Sequence, residues 1–119
     1  VMDEVLNAAS HGVGELMAIG ASVVLVRKVM HKPSYYLRWT CMYCAALNTM
    51  FLSSTLYHSF FALGHTVESI FGVLDYSAIF LLIAGSYSPF LGILFHGEWW
   101  AENLLNMMWS IAALGISTA

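Results

Sequence analysis

Three ionisable residues lie inside apolar runs of the sequence: Glu15, His58 and Asp75. An ionisable group in hydrocarbon costs several kcal/mol, so each one that persists needs a partner, a water-filled cavity or a function. Spacing gathers further polar groups around them. Glu4, Asn7, His11 and Glu15 follow i, i+3, i+7, i+11, and Ser54 precedes His58 by four, so each set forms one stripe on a helix. Asp75, Ile79, Leu82 and Ser86 share a face in the same way, which lets the acid point into a bundle rather than at lipid. Taken alone, Ser54 is equally well an interhelical hydrogen-bonding group worth about 0.6 to 2 kcal/mol. For Asp75 the plain alternative is a protonated carboxyl bonded to a backbone carbonyl, but an intramembrane acid is by default a functional candidate.

The elements that must position these residues follow from composition. Of 119 residues 60% are hydrophobic and only 9% charged, with a mean hydropathy of +0.75, whereas a soluble domain is roughly a quarter charged. An ordinary water-soluble globule is excluded. Four Lys and Arg against seven Asp and Glu give a net charge of -3, so no basic surface exists to hold nucleic-acid phosphates. Trp39 to Leu63 contains no charged residue, and Ile70 to Phe95 contains only Asp75, with Pro89 late enough to kink the helix. Gly12 to Val26 is the apolar centre of an earlier helix, and the Trp99-Trp100 pair opens a last one. The expected class is an all-α, multi-pass transmembrane helical bundle forming a single domain over 1–119, with helices over 5–30, 37–63, 70–95 and 99–119. Of these, Trp39 to Leu63 is ranked the clearest crossing. The opening Val1-Met2 and the stop within an apolar run lead to the expectation that the chain is a fragment of a longer protein.

On this plan His58 lies five residues before the end of its run and Asp75 five after the start of the next, so both sit roughly 7 to 8 Å below one surface. The short second connection, read as Gly64 to Ser69, makes these helices antiparallel neighbours. Parity puts the Glu4 to Glu15 stripe on the same side, so polar groups converge from three helices. His31, His65 and His96 are assigned to solvated loops. Cys41 and Cys44 lie about 20 Å from His58 along the helix and are read as small core residues. Tyr35, Tyr36, Trp39, Trp99 and Trp100 are interfacial anchors. All four basic residues, Arg27, Lys28, Lys32 and Arg38, fall in the first connection, which the positive-inside rule assigns to the cytoplasm, with the N-terminus opposite.

Three segments in order carry a resemblance. They are Glu4-x-x-Asn7-x-x-Ser10-His11-x-x-Gly14, Ser54-Thr55-Leu56-Tyr57-His58, and Leu74-Asp75-Tyr76 continuing to Ser88-Pro89-Phe90. Together they resemble the haemolysin III-related family, which includes the progestin and adipoQ receptors. The resemblance implies a seven-helix fold of which this chain is the first three helices and the start of a fourth. It also implies a bound Zn2+ held by a histidine of the second helix, at the position of His58, and by an H-x-x-x-H pair on a last helix that this chain lacks, with water completing the site. By the same resemblance Asp75 matches the acid that bonds this water, and Ser54 matches the serine one turn before the histidine, a polar supporting or oxyanion-side group. The N-terminus of the receptors is cytoplasmic, opposite to the charge count.

The resemblance implies two activities: hydrolysis of an amide in a membrane lipid, as in the similar alkaline ceramidases, or sensing of a lipid or hormone-like ligand by the same cavity. Catalytic assignments fall on Asp75 and Ser54, and the metal assignment on His58. The alternative is a pore-forming or structural membrane protein without metal, in which His58 and Asp75 only lock helices together. A third reading makes His11 and His58 axial ligands of a haem between helices.

Overall fold

A computed structural model of the chain describes residues 2–60 and 63–118. The first helix, α1 (Met2–Val29), carries Asp3 and Glu4 in its first turn and Arg27 and Lys28 in its last, each sign at the end of the helix dipole that it stabilises. Its sides are inverted relative to a helix of a water-soluble protein. Leu16 and Met17 are 71% and 70% exposed, whereas Glu4, Asn7, His11 and Glu15 are half-buried. Only 6% of the apolar stretch of α1 is buried, so it is not the core helix of a soluble domain. An apolar exterior with polar groups turned inward is stable where the surroundings are hydrocarbon.

A tight turn follows α1, with Lys32 N–H donating to the Val29 carbonyl at 3.0 Å, and Pro33 prevents the helix from continuing. The next helices are α2 (Ser34–Ser59) and α3 (His65–Pro89), then a π-helical turn over Phe90–Leu94 and α4 (Trp99–Ser117). Gly64 and Gly97, at φ of 121° and 90°, make the turns ahead of α3 and α4, a backbone conformation that residues with a side chain rarely adopt. Among the described residues there is no strand, and the chain is an all-α membrane helical bundle.

The packing order is set by α2, which lies between α1 and α3, while α4 packs on α3 and the π turn. The Cα atoms fill a slab of 48 × 32 × 17 Å. Close approach of α3 to α2 depends on small residues: a Cβ at Gly85 would lie 2.6 Å from the Ala46 Cβ. Pro89 has no N–H to give to the Gly85 carbonyl and its ring crowds that oxygen, which accounts for the widened turn that begins at Phe90. The fully buried Ser88 hydroxyl donates to the Ala84 carbonyl at 2.8 Å and accepts from Trp109 Nε1–H at 2.9 Å, tying α4 to α3. Leu91, Ala101 and Leu105 form the apolar contact beside it, with Trp39 and Phe95 against them.

Two differences from the sequence expectation matter for the site. Helix α2 ends at Ser59, not Leu63, with residues 61 and 62 outside the described residues, and α3 begins at His65. The expected Gly64 to Ser69 connection is therefore largely the first turn of α3, and His65 is its exposed first residue rather than part of a loop. The second difference is one of ranking. Among the described residues, the helices long and apolar enough to cross a membrane are Met2–Val29 and His65–Leu94. Although free of charge beyond Arg38, α2 is diluted in hydropathy by Thr40, Asn48, Ser53, Ser54, Thr55 and His58. Those residues are tolerated because α2 has protein on both sides.

Replacing Gly85 with Val should push α3 off α2 and lower stability by about 1 to 3 kcal/mol, the usual cost of overpacking a close contact. A Cβ at Gly20 meets nothing within 4 Å, so Gly20→Ala serves as the neutral or stabilising control. Denaturant titration in detergent reads both.

Candidate functional site

The turn after α1 makes α1 and α2 antiparallel, so the start of α1 meets the end of α2. There His58 Nδ1–H donates to Glu4 Oε2 at 2.5 Å, a carboxylate being able only to accept. The side chains are 16% and 32% exposed, so the pair is half-buried at the edge of the helix contact. One turn further in, His11 Nδ1 and the Ser54 hydroxyl share a short hydrogen bond, and Ser54 is buried. The two imidazoles meet edge to face, with centroids 5.8 Å apart and planes at 83°. Phe51 packs edge-on against His11 at 6.2 Å, and Tyr57 lies against His58 at 5.1 Å. Glycine at 72 leaves room for Tyr57, since a Cβ there would lie 3.3 Å from its ring.

The polar contact between α1 and α2 continues inward. Asn48 Nδ2 donates to Ser22 Oγ at 2.9 Å and to the Cys44 carbonyl at 2.7 Å. Glu15 Oε2 and Asn48 Oδ1 are buried with no hydrogen-bond partner among the described residues. Of the stripe read from the spacing, Glu4 and His11 meet partners on α2, and Glu15 is turned inward without one among the described residues.

Asp75 stands apart from this cluster. It is half-buried on α3, and the pairing of Gly72 with Tyr57 and Gly85 with Ala46 sets it level with Ser54 and Thr55. Its carboxyl makes no hydrogen bond to Glu4, His11, Ser54 or His58, because Ser54 and His58 turn toward α1 while α3 lies on another side of α2. The inferred equal depth of His58 and Asp75 is corrected as well. His58 is one residue from the end of α2 and Asp75 ten residues into α3, about 1.5 and 15 Å from the helix ends. Asp75 therefore lies about one turn deeper than His58, because the start of α3 runs past the end of α2. The inferred face of Asp75 also changes: Ile79 is 49% exposed and Ser86 is exposed, and the stripe turned inward is Gly72, Asp75, Ala78, Leu82 and Gly85.

The remaining assignments divide. His31 and His96 are exposed in turns, with His96 stacked on Tyr35 at a centroid distance of 3.5 Å. Cys41 is exposed, Cys44 is buried, and both are free thiols. Haem ligation between His11 and His58 is contradicted, since the rings pack directly on each other and leave no gap for a macrocycle. Among the described residues no group of three His, Cys, Asp or Glu could hold a metal ion. What the site does offer is two imidazoles whose Nδ1 atoms are engaged and whose Nε2 atoms have no hydrogen bond to the described residues. An apolar groove of 840 Å³ beside Thr40, Tyr43 and Pro89 belongs to the other end of the bundle, Tyr43 being about 22 Å along α2 from His58.

The partners of Ser54 and His58, namely His11 and Glu4, are the site contacts that residue spacing did not assign. The available signal was the short first turn, which forces the start of α1 onto the end of α2. A double-mutant cycle on His11→Ala and Ser54→Ala should give a coupling energy of about 0.6 to 1.7 kcal/mol, the range for interhelical hydrogen bonds in membranes. Additive effects would show that the two side chains do not interact.

The sequence profile of the family described as Haemolysin-III related matches residues 1–119. Hemolysin-3 of Bacillus cereus is 38% identical over 120 residues, which cover 98% of this chain and 52% of that protein. The Hemolysin-3 homolog of Bacillus subtilis (strain 168) is 35% identical over 121 residues, covering 98% of this chain and 54% of that protein. The chain thus spans about half the length of the curated relatives it matches. No solved structure matches it. With a helical membrane fold and a family profile that spans its whole length, the chain belongs to the haemolysin-III related family.

Proposed function

We propose that the protein containing this chain is a multi-pass membrane protein that binds zinc at His58 and uses the site to hydrolyse an amide in a membrane lipid of the ceramide type. The observation that carries this reading is His58 itself: a half-buried imidazole, oriented through Nδ1, with Nε2 free of hydrogen bonds to the described residues. That is the donor zinc takes from a neutral histidine. The residues fit as one ligand of the metal, and the other ligands lie outside this chain, as the family resemblance implies.

Bound zinc supplies Lewis acidity, polarising the amide carbonyl. The chain's own residues divide the rest. Asp75, on the neighbouring helix and not hydrogen-bonded to the cluster of Glu4, His11, Ser54 and His58, is the carboxyl left to hold the attacking water and accept its proton. As water adds to the carbonyl carbon and the C–N bond breaks, that proton passes from Asp75 to the leaving amine, giving a carboxylic acid and an amine. Ser54 keeps His11 in place beside His58. The same cavity in a receptor would bind the lipid without cleaving it. A second reading, a membrane-lysing or structural bundle without metal, is favoured by the names of the Bacillus relatives.

Metal content by mass spectrometry on the whole protein in detergent tests the proposal. About one zinc per chain is expected, lost in His58→Ala and kept in Asp75→Ala. The Asp75→Ala protein should release no fatty acid from ceramide vesicles that the parent hydrolyses. Zinc without turnover in the parent supports the receptor form, and no zinc in either protein supports the metal-free bundle.

A further inference from the structure

Glu4 is a carboxylate whose one polar partner among the described residues is informative. All four Lys and Arg residues, Arg27, Lys28, Lys32 and Arg38, lie in or beside the first turn, at the opposite end of the helices. Arg27 is 23 residues further along α1, about 35 Å away. No Lys or Arg side chain of this chain can therefore pair with Glu4, while the first turn of α1 favours its negative charge through the helix dipole. What it meets is the Nδ1 of His58, at 2.5 Å. Tyr57 and His11 pack against the same imidazole and restrict its rotation.

We propose that Glu4 is the positioning residue of His58: by accepting the Nδ1–H hydrogen bond it fixes the tautomer that leaves the Nε2 lone pair free for the metal, an inference that rests on the zinc reading above. An imidazole left without that acceptor is free to protonate Nε2 instead, and the ligand is lost without any change in the backbone. A carboxylate behind a ligating histidine also raises its basicity, and removing such a partner typically weakens metal binding by about 10- to 100-fold. Nothing in the spacing of Glu4, Asn7 and His11 assigns this role. It follows from the register that seats the first turn of α1 on the last turn of α2.

Two measurements on the whole protein in detergent test it. In zinc-stripped protein labelled with 15N-histidine, His58, identified by its absence from His58→Ala, should show a neutral ring protonated on Nδ1, and Glu4→Leu should shift it toward protonation on Nε2. Zinc retention against a graded chelator should then fall about 10- to 100-fold in Glu4→Leu. Glu4→Gln, which keeps an acceptor but not the charge, should fall in between and covers the case in which the leucine variant does not fold. A purely structural ion pair predicts a different pattern, with His58 protonated on both nitrogens in the parent; that result, or a ring protonated on Nε2 and so not bonded to Glu4, overturns the inference. Parent-like zinc retention in both Glu4 variants, with loss in His58→Ala, overturns it while leaving the zinc reading intact. Absence of zinc from the parent overturns both.

Discussion

The polar side of α2 has to be satisfied by protein, and most of the architecture follows from that. Hydrocarbon offers no hydrogen bonds, so Asn48, Ser54 and His58 on one helix require donors and acceptors from another. Helix α1 supplies them in order, with Ser22, His11 and Glu4 meeting Asn48, Ser54 and His58. With its polar stripe spent on α2, α1 can present leucine, methionine and valine outward. The helix that is poorest in hydropathy is thus the one flanked on both sides, and the two flanking helices are the ones apolar enough to cross on composition alone.

Small residues then bring the third helix in. Gly85 against Ala46 and Gly72 against Tyr57 let α3 pack closely on α2, and that register carries Asp75 to the level of Ser54. Close packing through glycine and alanine replaces the hydrophobic drive that is missing between helices in lipid. The interruption at Pro89 widens the end of α3 just where Trp39 and Leu91 pack against Ala101 and Leu105 of α4. The histidine cluster and the π turn occupy opposite ends of the bundle, so the irregular backbone plays no part in holding His58.

Much of this was readable in the residues. The polar stripe of α1, the helical class and the interruption at Pro89 follow from spacing, composition and the cost of polar groups in lipid, whereas the face assigned to Asp75 did not hold. The end of α2 was not, because Phe60 and Leu63 are as apolar as the helix itself, and an uncharged run does not encode where a helix stops. The only local marker is Gly64, whose positive φ opens α3. Misplacing that end shifted the inferred depths of both His58 and Asp75. The pairing of Glu4 with His58 was beyond spacing for another reason: hydrogen-bond partners on different helices depend on register, and register is decided by the glycine contacts along the whole interface.

Disulfide trapping of the α1–α2 register in the whole protein, in membranes and with Cys41 and Cys44 replaced by alanine, bears on all of this at once. A Cβ at Gly12 would meet the Thr55 methyl at 3.7 Å, so the two positions face each other and small motions bring cysteines placed there within reach of a disulfide. Gly12→Cys with Thr55→Cys should cross-link readily, and Gly12→Cys with Leu52→Cys should not, since Leu52 is half exposed on the outer side of α2. Cross-linking of the second pair in preference to the first, or of neither, would mean that the polar stripe of α1 is not seated on Ser54 and His58.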